Sequence, residues 1–276
     1  MKLYVLNCGH CYVEAGFFLN WGLKEDRGKD YVPRALKLSA PCWFIDHPEA
    51  KILIDSPNFR DVYSGWEGWP FRRGPEGYHT KADAHETIPE QLKLIGYSLD
   101  DIDYVIESHL GSDHTYLPYF SDKKAKIVVQ RAEYEFAKIG PDSYITTMGW
   151  QYVSEQWDVL GLNWKLIDGN YKLVEGVELL HMPGHSPGYQ RVLLRLEKTG
   201  SVILSACEIR DMYYGISISG AEIPGIPHSA VSGNCEQELL NFRKTLQIAE
   251  QEHAQIWCGH DFPQWETLKH VPEYYE

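Results

Sequence analysis

No apolar run in this 276-residue sequence approaches the roughly 20 residues that a membrane-spanning helix needs. The chain opens at once on the apolar stretch Leu3–Leu6, without the basic segment, apolar stretch and cleavage site of a secretory leader. We therefore expect a cytoplasmic protein that has no membrane partner.

Basic residues are scarce. Lysine and arginine number 26 against 39 aspartates and glutamates, which gives a formal net charge of −13. Nucleic-acid phosphates are bound by basic surfaces, so this balance argues against a nucleic-acid partner. Hydrophobic residues make up 43% of the chain, enough for a large core. We expect one domain over residues 1–276.

The six cysteines are scattered and show no disulfide framework. Cys8 and Cys11 form one C-x-x-C pair, but the sequence contains no second pair. A structural zinc site needs four ligands, so we interpret these two residues as buried thiols near the first strand.

A segment dense in metal-binding side chains follows the apolar run Tyr104–Ile106. It reads Glu-Ser-His-Leu-Gly-Ser-Asp-His and ends at His114. His109, Asp113 and His114 lie within six residues, at the point where a predicted strand passes into a loop. Loops that follow strands commonly present metal ligands.

Two later loops repeat this arrangement, each with a histidine soon after an apolar stretch. His185 lies within Pro183–Gly188, and His260 lies within Cys258–Asp261. Three such loops in one chain predict a metal site far more strongly than one alone.

The order of these loops resembles the metallo-β-lactamase superfamily, whose hallmark is H-x-H-x-D-H followed by two further histidine loops. Within it, the chain is most similar to the N-acyl-homoserine lactonase branch. Besides the three histidine loops, the segments that recur in order are Met1–Tyr4, Ile52–Ser56 and Val128–Glu135. The resemblance implies an α/β fold, the αββα sandwich of two mixed sheets with helices outside. It also implies that Asp55 orients the metal loop; the alternative is a polar strand end.

The resemblance implies two sets of ligands. Asp113, His114 and His260 match one set completely. His109 and His185 match the other, whose third histidine is replaced by Gly111. The second set is therefore expected to bind metal more weakly.

The family's metal-bridging aspartate is also altered. Cys207 aligns with it, whereas Glu208 is the chemically closer substitute. Either residue could bridge or complete a metal site, with a slight preference for Glu208. A tyrosine that the lactonases use beside the substrate falls at or near Arg210.

Two stretches rich in aromatic residues, 57–85 and 140–163, are expected to be insertions that line a pocket or a subunit contact. Residues predicted to bind substrate lie in these stretches and near the metal loops: Trp69, Tyr116, Trp150, Arg210, Tyr213 and His228.

The resemblance implies a hydrolase that uses a metal-activated water on a lactone or an ester, and the aromatic stretches favour an activated aryl ether as the alternative. Asp113 or Glu208 would handle the proton. The cofactor is expected to be one or two zinc ions, with manganese or iron as alternatives. The substrate would be a small molecule, and a homo- or hetero-oligomer stays open. The rival interpretation is a catalytically weak or non-catalytic subunit of a hetero-oligomeric assembly of this fold.

The longest predicted helix covers residues 234–252. Helical spacing places Leu239, Leu240, Leu246 and Ile248 on its inner face and Glu236, Glu238, Arg243 and Lys244 on its outer face. Shorter helices are predicted at 86–95 and 131–139.

Overall fold

The computed structural model describes residues 1–14, 35–40, 42–59, 79–139, 152–207, 217–218, 221–222 and 233–276.

The first sheet carries alternating apolar side chains on two faces. The strands of this sheet are β1 (Lys2–Val5), β4 (Trp43–Asp46), β5 (Lys51–Ile54), β7 (Tyr104–Ile106), β8 (Lys126–Gln130) and β9 (Asn163–Ile167), hydrogen-bonded in that order. The first three are antiparallel, and β5, β7, β8 and β9 run parallel.

The second sheet follows in sequence and is mostly antiparallel. Its strands, in spatial order, are β10 (Tyr171–Val174), β11 (Val177–His181), β12 (Gln190–Leu196), β13 (Gly200–Ser205) and β16 (Gln255–Cys258). The pairing of β13 with β16 is parallel, so both strands end at the same edge.

Five further described strands form two smaller sheets. The three-stranded sheet has the order β3 (Ala35–Ser39), β2 (His10–Glu14), β6 (His79–Lys81), and β14 (Ser217–Ile218) pairs antiparallel with β15 (Ala221–Glu222).

Alternation along the strands divides the core into two layers. Leu3, Ile52 and Ile54 belong to a cluster shared with apolar residues of the second sheet. Their neighbours Tyr4 and Leu53 belong to the other cluster, which includes residues of the first helices. Because side chains of a strand point alternately to opposite faces, the first sheet is buried on both sides.

The described helices are α1 (Ile88–Lys93), α2 (Arg131–Ile139), α3 (Ser154–Trp157), α4 (Cys235–Gln251) and α5 (Phe262–Thr267). Among these described segments, none is long and apolar enough to cross a membrane. Helix α4 begins after Asn234, whose side chain accepts a hydrogen bond from the Gln237 N–H at 3.0 Å, a common N-cap.

The buried face of α4 differs from the prediction. Glu238, Phe242 and Thr245 are its buried residues, whereas Leu240 is 63% exposed and Leu246 is 37% exposed. The inward placement of the two leucines and the outward placement of Glu238 were therefore wrong.

The loop that contains His185 packs beside α4 and explains why the helix buries Glu238 instead of the two leucines. Gly184 adopts φ +150°, and a Cβ on it would lie 2.7 Å from the Cβ of Glu238. The side-chain amide of Asn241 also donates to the Pro183 carbonyl. These contacts outweigh the apolar periodicity because burial depends on the neighbouring surface as well as on spacing.

Both sheets deliver strand ends to one region. In the first sheet, β5 ends just before Asp55 and β7 ends before His109. In the second sheet, β13 ends before Cys207 and β16 ends before His260. Parallel strands present their carboxyl ends at one edge, which is where open α/β sheets usually place their sites.

Candidate metal centre

Asp55 anchors the loop that follows β7. Its carboxylate accepts hydrogen bonds from the Ser108 N–H at 2.7 Å and the Ser108 hydroxyl at 3.0 Å. It also lies 2.9 Å from Nδ1 of His114. Asp55 itself adopts φ +57°, a conformation that Asp and Asn tolerate better than most residues.

The Nε2 atoms of His114 and His260 face each other at 3.1 Å. Nδ1 of His114 faces a carboxylate, and Nδ1 of His260 lies 3.1 Å from the Ser39 carbonyl. Carboxylates and carbonyls only accept hydrogen bonds, so each Nδ1 carries a proton. In the neutral rings both Nε2 atoms therefore present lone pairs, and a cation between them would resolve the conflict.

Asp113 adds a third acceptor to the same point. Its Oδ2 lies 3.4 Å from Nε2 of His260 and 3.7 Å from Nε2 of His114. Burial alone would raise the pKa of Asp113, but a positive charge on the imidazoles of His114 and His260 outweighs it and holds the pKa well below its usual range. A metal ion held in place of that proton would attract the carboxylate in the same way. The carboxylate is therefore ionised. We call Asp113, His114 and His260 the Asp113 cluster.

The separations within the Asp113 cluster suit a metal. Zinc bonds nitrogen and oxygen at about 2.0–2.2 Å, so ligand atoms of a tetrahedral site lie about 3.3–3.6 Å apart. The three separations, 3.1, 3.4 and 3.7 Å, surround that value. One carboxylate and two imidazoles fit a catalytic zinc or a similar divalent ion.

His109 and His185 form a second pair of imidazoles, which we call the His109 pair. Their Nε2 atoms are 3.3 Å apart, and both residues are buried. Burial and the neighbouring imidazoles of His114 and His185 lower the pKa of His109 well below its ordinary value. His109 is therefore neutral, the form that binds metal.

Cys207 lies between the Asp113 cluster and the His109 pair. Its Sγ is 3.7 Å from Nε2 of His114 and 3.9 Å from Nε2 of His109. Ligand atoms of His109, His185 and Cys207 all lie within 4.8 Å of one another, and the same holds for His114, Cys207 and His260.

Glu133 of α2 joins the first two histidine loops. Its carboxylate accepts hydrogen bonds from the Leu110 N–H at 2.9 Å and the Ser186 hydroxyl at 2.6 Å. The Tyr152 hydroxyl and the Gly188 N–H donate to it at 2.8 and 3.1 Å. Burial raises the pKa of Glu133, and these hydrogen bonds oppose the shift.

The structure brings together six of the residues predicted as ligands: His109, Asp113, His114, His185, Cys207 and His260. Tyr116 follows the loop and is half-buried, with its ring centroid 4.9 Å from that of Tyr119. The remaining predicted residues lie outside the described ranges: Trp69, Trp150, Glu208, Arg210, Tyr213 and His228.

Sequence reasoning missed three supporting residues. Glu133 lies in the recurring segment Val128–Glu135, but no role was predicted for it. Ser39 and Tyr189 were not considered, although the Ser39 carbonyl faces His260 and the Tyr189 hydroxyl accepts the Cys207 N–H at 3.1 Å. A glutamate on the buried side of a helix was the one available signal.

Comparison with known proteins shows the family to which the chain belongs. The profile of the Metallo-beta-lactamase superfamily matches residues 37–203, more than half of the chain. The chain belongs to this superfamily. Among curated relatives, the N-acyl homoserine lactonase AttM of Azorhizobium caulinodans is 30% identical, and the match covers 100% of this chain and 99% of that protein. The N-acyl homoserine lactonase AiiA of Bacillus thuringiensis subsp. kurstaki is 29% identical over 99% of this chain and 98% of its own length.

Solved structures of superfamily members support the same fold. A mutant of B. thuringiensis AiiA with N-decanoyl-L-homoserine bound at the active site superposes with a TM-score of 0.77 at 26% identity, covering 99% of this chain and 98% of that one. An N-acyl homoserine lactone hydrolase with N-hexanoyl-L-homoserine at its catalytic metal centre gives a TM-score of 0.74 at 26% identity, covering 99% and 98%. The predicted αββα sandwich is confirmed.

Proposed function

We propose that this superfamily member is a metal-dependent hydrolase of lactones, with N-acyl homoserine lactones as the first substrates to test. The observation that carries the proposal is the convergence of Asp113, His114 and His260 on one point through acceptor atoms. A divalent ion held there would polarise the carbonyl and activate water for attack.

The chain's own residues would divide the work around this ion. His114 and His260 are oriented from behind by Asp55 and by the Ser39 carbonyl. The side chain of Asp113 is 18% exposed, whereas those of His114 and His260 are 1% and 3% exposed. Asp113 is therefore the member of its cluster that substrate can approach, and we assign to it the proton transfer of ring opening.

The substrate class rests on the relatives. Lactonases match nearly the whole chain, and two solved relatives bind acyl-homoserine products. Open-chain esters and activated aryl ethers remain the alternatives, which the aromatic stretches at 57–85 and 140–163 favour. Tyr116, which follows the metal loop directly, is our described candidate for substrate contact. Trp69, Trp150, Arg210, Tyr213 and His228 stay predictions.

The rival interpretation, a non-catalytic subunit, has less support. Removing two imidazole lone pairs from water and placing them face to face is unfavourable unless a cation compensates. His114 and His260 keep this costly arrangement, because the Nδ1 atom of each faces a group that only accepts hydrogen bonds. A site that had lost its metal would gain nothing from retaining it.

Cell location and assembly also stay predictions. We infer a cytoplasmic enzyme from the sequence and leave open whether copies associate. Size-exclusion chromatography with light scattering would establish the number of chains per particle.

The experiment that tests the proposal measures hydrolysis of N-hexanoyl homoserine lactone by protein purified without chelator. We expect turnover that a strong chelator abolishes and zinc restores. His260→Ala should lower kcat/KM by more than about 100-fold, since even supporting residues of metal sites are worth 10–100-fold. His253→Asn is the matched control, because His253 is exposed and has φ +49°, which Asn accepts.

Two results would contradict the proposal. One is full activity in His260→Ala, which would show that the Asp113 cluster takes no part in the reaction. The other is a wild-type chain that hydrolyses neither lactones nor a panel of esters and aryl ethers after metal loading.

A further inference from the structure

Cys207 occupies a position between two groups of imidazoles. Its side chain is buried, and it immediately follows β13 and Ala206. Sγ lies 3.7 Å from Nε2 of His114, in the Asp113 cluster, and 3.8 and 3.9 Å from Nδ1 and Nε2 of His109, in the His109 pair. The sulfur is thus almost equally distant from the two groups.

The backbone fixes the sulfur at this position. The Cys207 N–H donates to the Tyr189 hydroxyl at 3.1 Å, and the Gly259 N–H donates to the Ser205 carbonyl at 2.8 Å. The Tyr189 ring also packs against His109 and His185, with centroids 5.9 and 5.5 Å apart. The same tyrosine therefore positions the thiol and the His109 pair.

The separations agree with metal coordination by sulfur. With zinc bonds of about 2.3 Å to sulfur and 2.0–2.1 Å to nitrogen, a tetrahedral site places the two ligand atoms about 3.6 Å apart. The separation of 3.7 Å to Nε2 of His114 is close to this value. The sulfur lies about equally far from the two ring nitrogens of His109, at 3.8 and 3.9 Å, so this ring would turn for Nε2 to share an ion with the sulfur.

The fold leaves the His109 pair in need of a third ligand. His109 packs its ring directly against Gly111: a Cβ at position 111 would lie 2.9 Å from Cδ2 of His109 and closer still to its Nε2. A side chain at 111 therefore has no room while His109 keeps this position. Of the described metal-binding residues, Cys207 is the one that joins His109 and His185.

We propose that the Cys207 thiolate is a ligand shared by two metal ions. One ion would be held by Asp113, His114 and His260, and the other by His109 and His185. The sulfur would replace both the family's bridging carboxylate and the histidine missing at Gly111. The inference rests on the proposed metal dependence.

A shared thiolate changes which ions the centre prefers. Thiolate and imidazole ligands favour zinc and cobalt(II), whereas magnesium and manganese(II) prefer oxygen. A centre that contains Cys207 should therefore select zinc or cobalt over manganese, and an aspartate at 207 should weaken that preference.

Cobalt(II) titration followed by near-ultraviolet absorption tests the inference without measuring activity. Sulfur bonded to cobalt(II) gives an intense charge-transfer band, which oxygen and nitrogen ligands do not give. We expect the band to grow until two cobalt ions are bound per chain. Cys207→Ala should lose the band and at least one bound ion, whereas Cys207→Asp should lose the band but keep two.

Cys258→Ala is the matched control. Cys258 is also buried, and it lies on β16 opposite Ser205, but it belongs to none of the groups of converging ligand atoms in the described ranges. This variant should keep the band and both ions.

The outcomes separate the inference from the proposed function. Two bound cobalt ions without a sulfur band, or a band that persists in Cys207→Ala, would overturn the shared thiolate and leave metal-dependent hydrolysis standing. A wild-type chain that binds no cobalt would overturn both.

Discussion

The carboxylate of Asp55 lies 2.9 Å from Nδ1 of His114, on the opposite side of the imidazole from the atom that faces His260. This contact determines which nitrogen carries the proton, and therefore that Nε2 offers its lone pair to the Asp113 cluster. Because Asp55 also holds the Ser108 N–H and hydroxyl, one residue fixes both the ring and its loop.

Asp55→Asn should weaken metal binding while the chain still folds. Asn accepts the φ of +57° but lacks the charge, so we expect about a 10- to 100-fold loss of zinc affinity. Competition with a chromogenic chelator measures it. Unchanged affinity would show that Asp55 is only a polar strand end.

Tyr189→Phe should disturb the centre through the backbone of Cys207. Without the hydroxyl, the buried Cys207 N–H loses the acceptor that now lies 3.1 Å away, at a cost of about 1–3 kcal/mol in the free energy of unfolding. Urea denaturation of the metal-free protein measures this loss. A stability equal to wild type would mean that another acceptor replaces the hydroxyl.

Glu133→Ala should destabilise both the His109 and His185 loops. It leaves the Leu110 and Gly188 N–H groups and the Ser186 hydroxyl without their acceptor. At about 1–3 kcal/mol for each such buried donor, we expect unfolding to become easier by more than about 3 kcal/mol. Glu135→Ala, at an exposed position of the same helix, is the control and should stay near wild type. Equal stability of the two variants would refute the role of Glu133.

Gly111→His should weaken the second metal site rather than strengthen it. The sequence pattern alone suggests that returning the imidazole would raise the metal content. The structure predicts the reverse, because a side chain at 111 collides with the ring of His109. Metal analysis should show no more ions per chain than in wild type, and a higher content would contradict the position of His109.

The fold was predictable because strand and helix signals were local and strong. Helix α2 begins and ends where predicted. Apolar periodicity failed at α4, where a tertiary contact between Gly184 and Glu238 overrides it.

The site was predictable only in part. Histidines and Asp113 carry a recognisable spacing, but the residues that orient them come from distant parts of the chain: the Ser39 carbonyl faces a histidine 221 residues away. A backbone carbonyl has no sequence signature. The position of the Cys207 sulfur relative to both imidazole groups likewise depends on how the two sheets meet.

Anomalous X-ray scattering from crystals of the zinc-loaded chain, recorded on both sides of the zinc absorption edge, tests the central claim most directly. We predict a zinc peak within bonding distance of Asp113, His114 and His260, and a second peak beside His109 and His185, with the Cys207 sulfur between them. Strong zinc peaks elsewhere, with none among these side chains, would contradict the proposed metal centre.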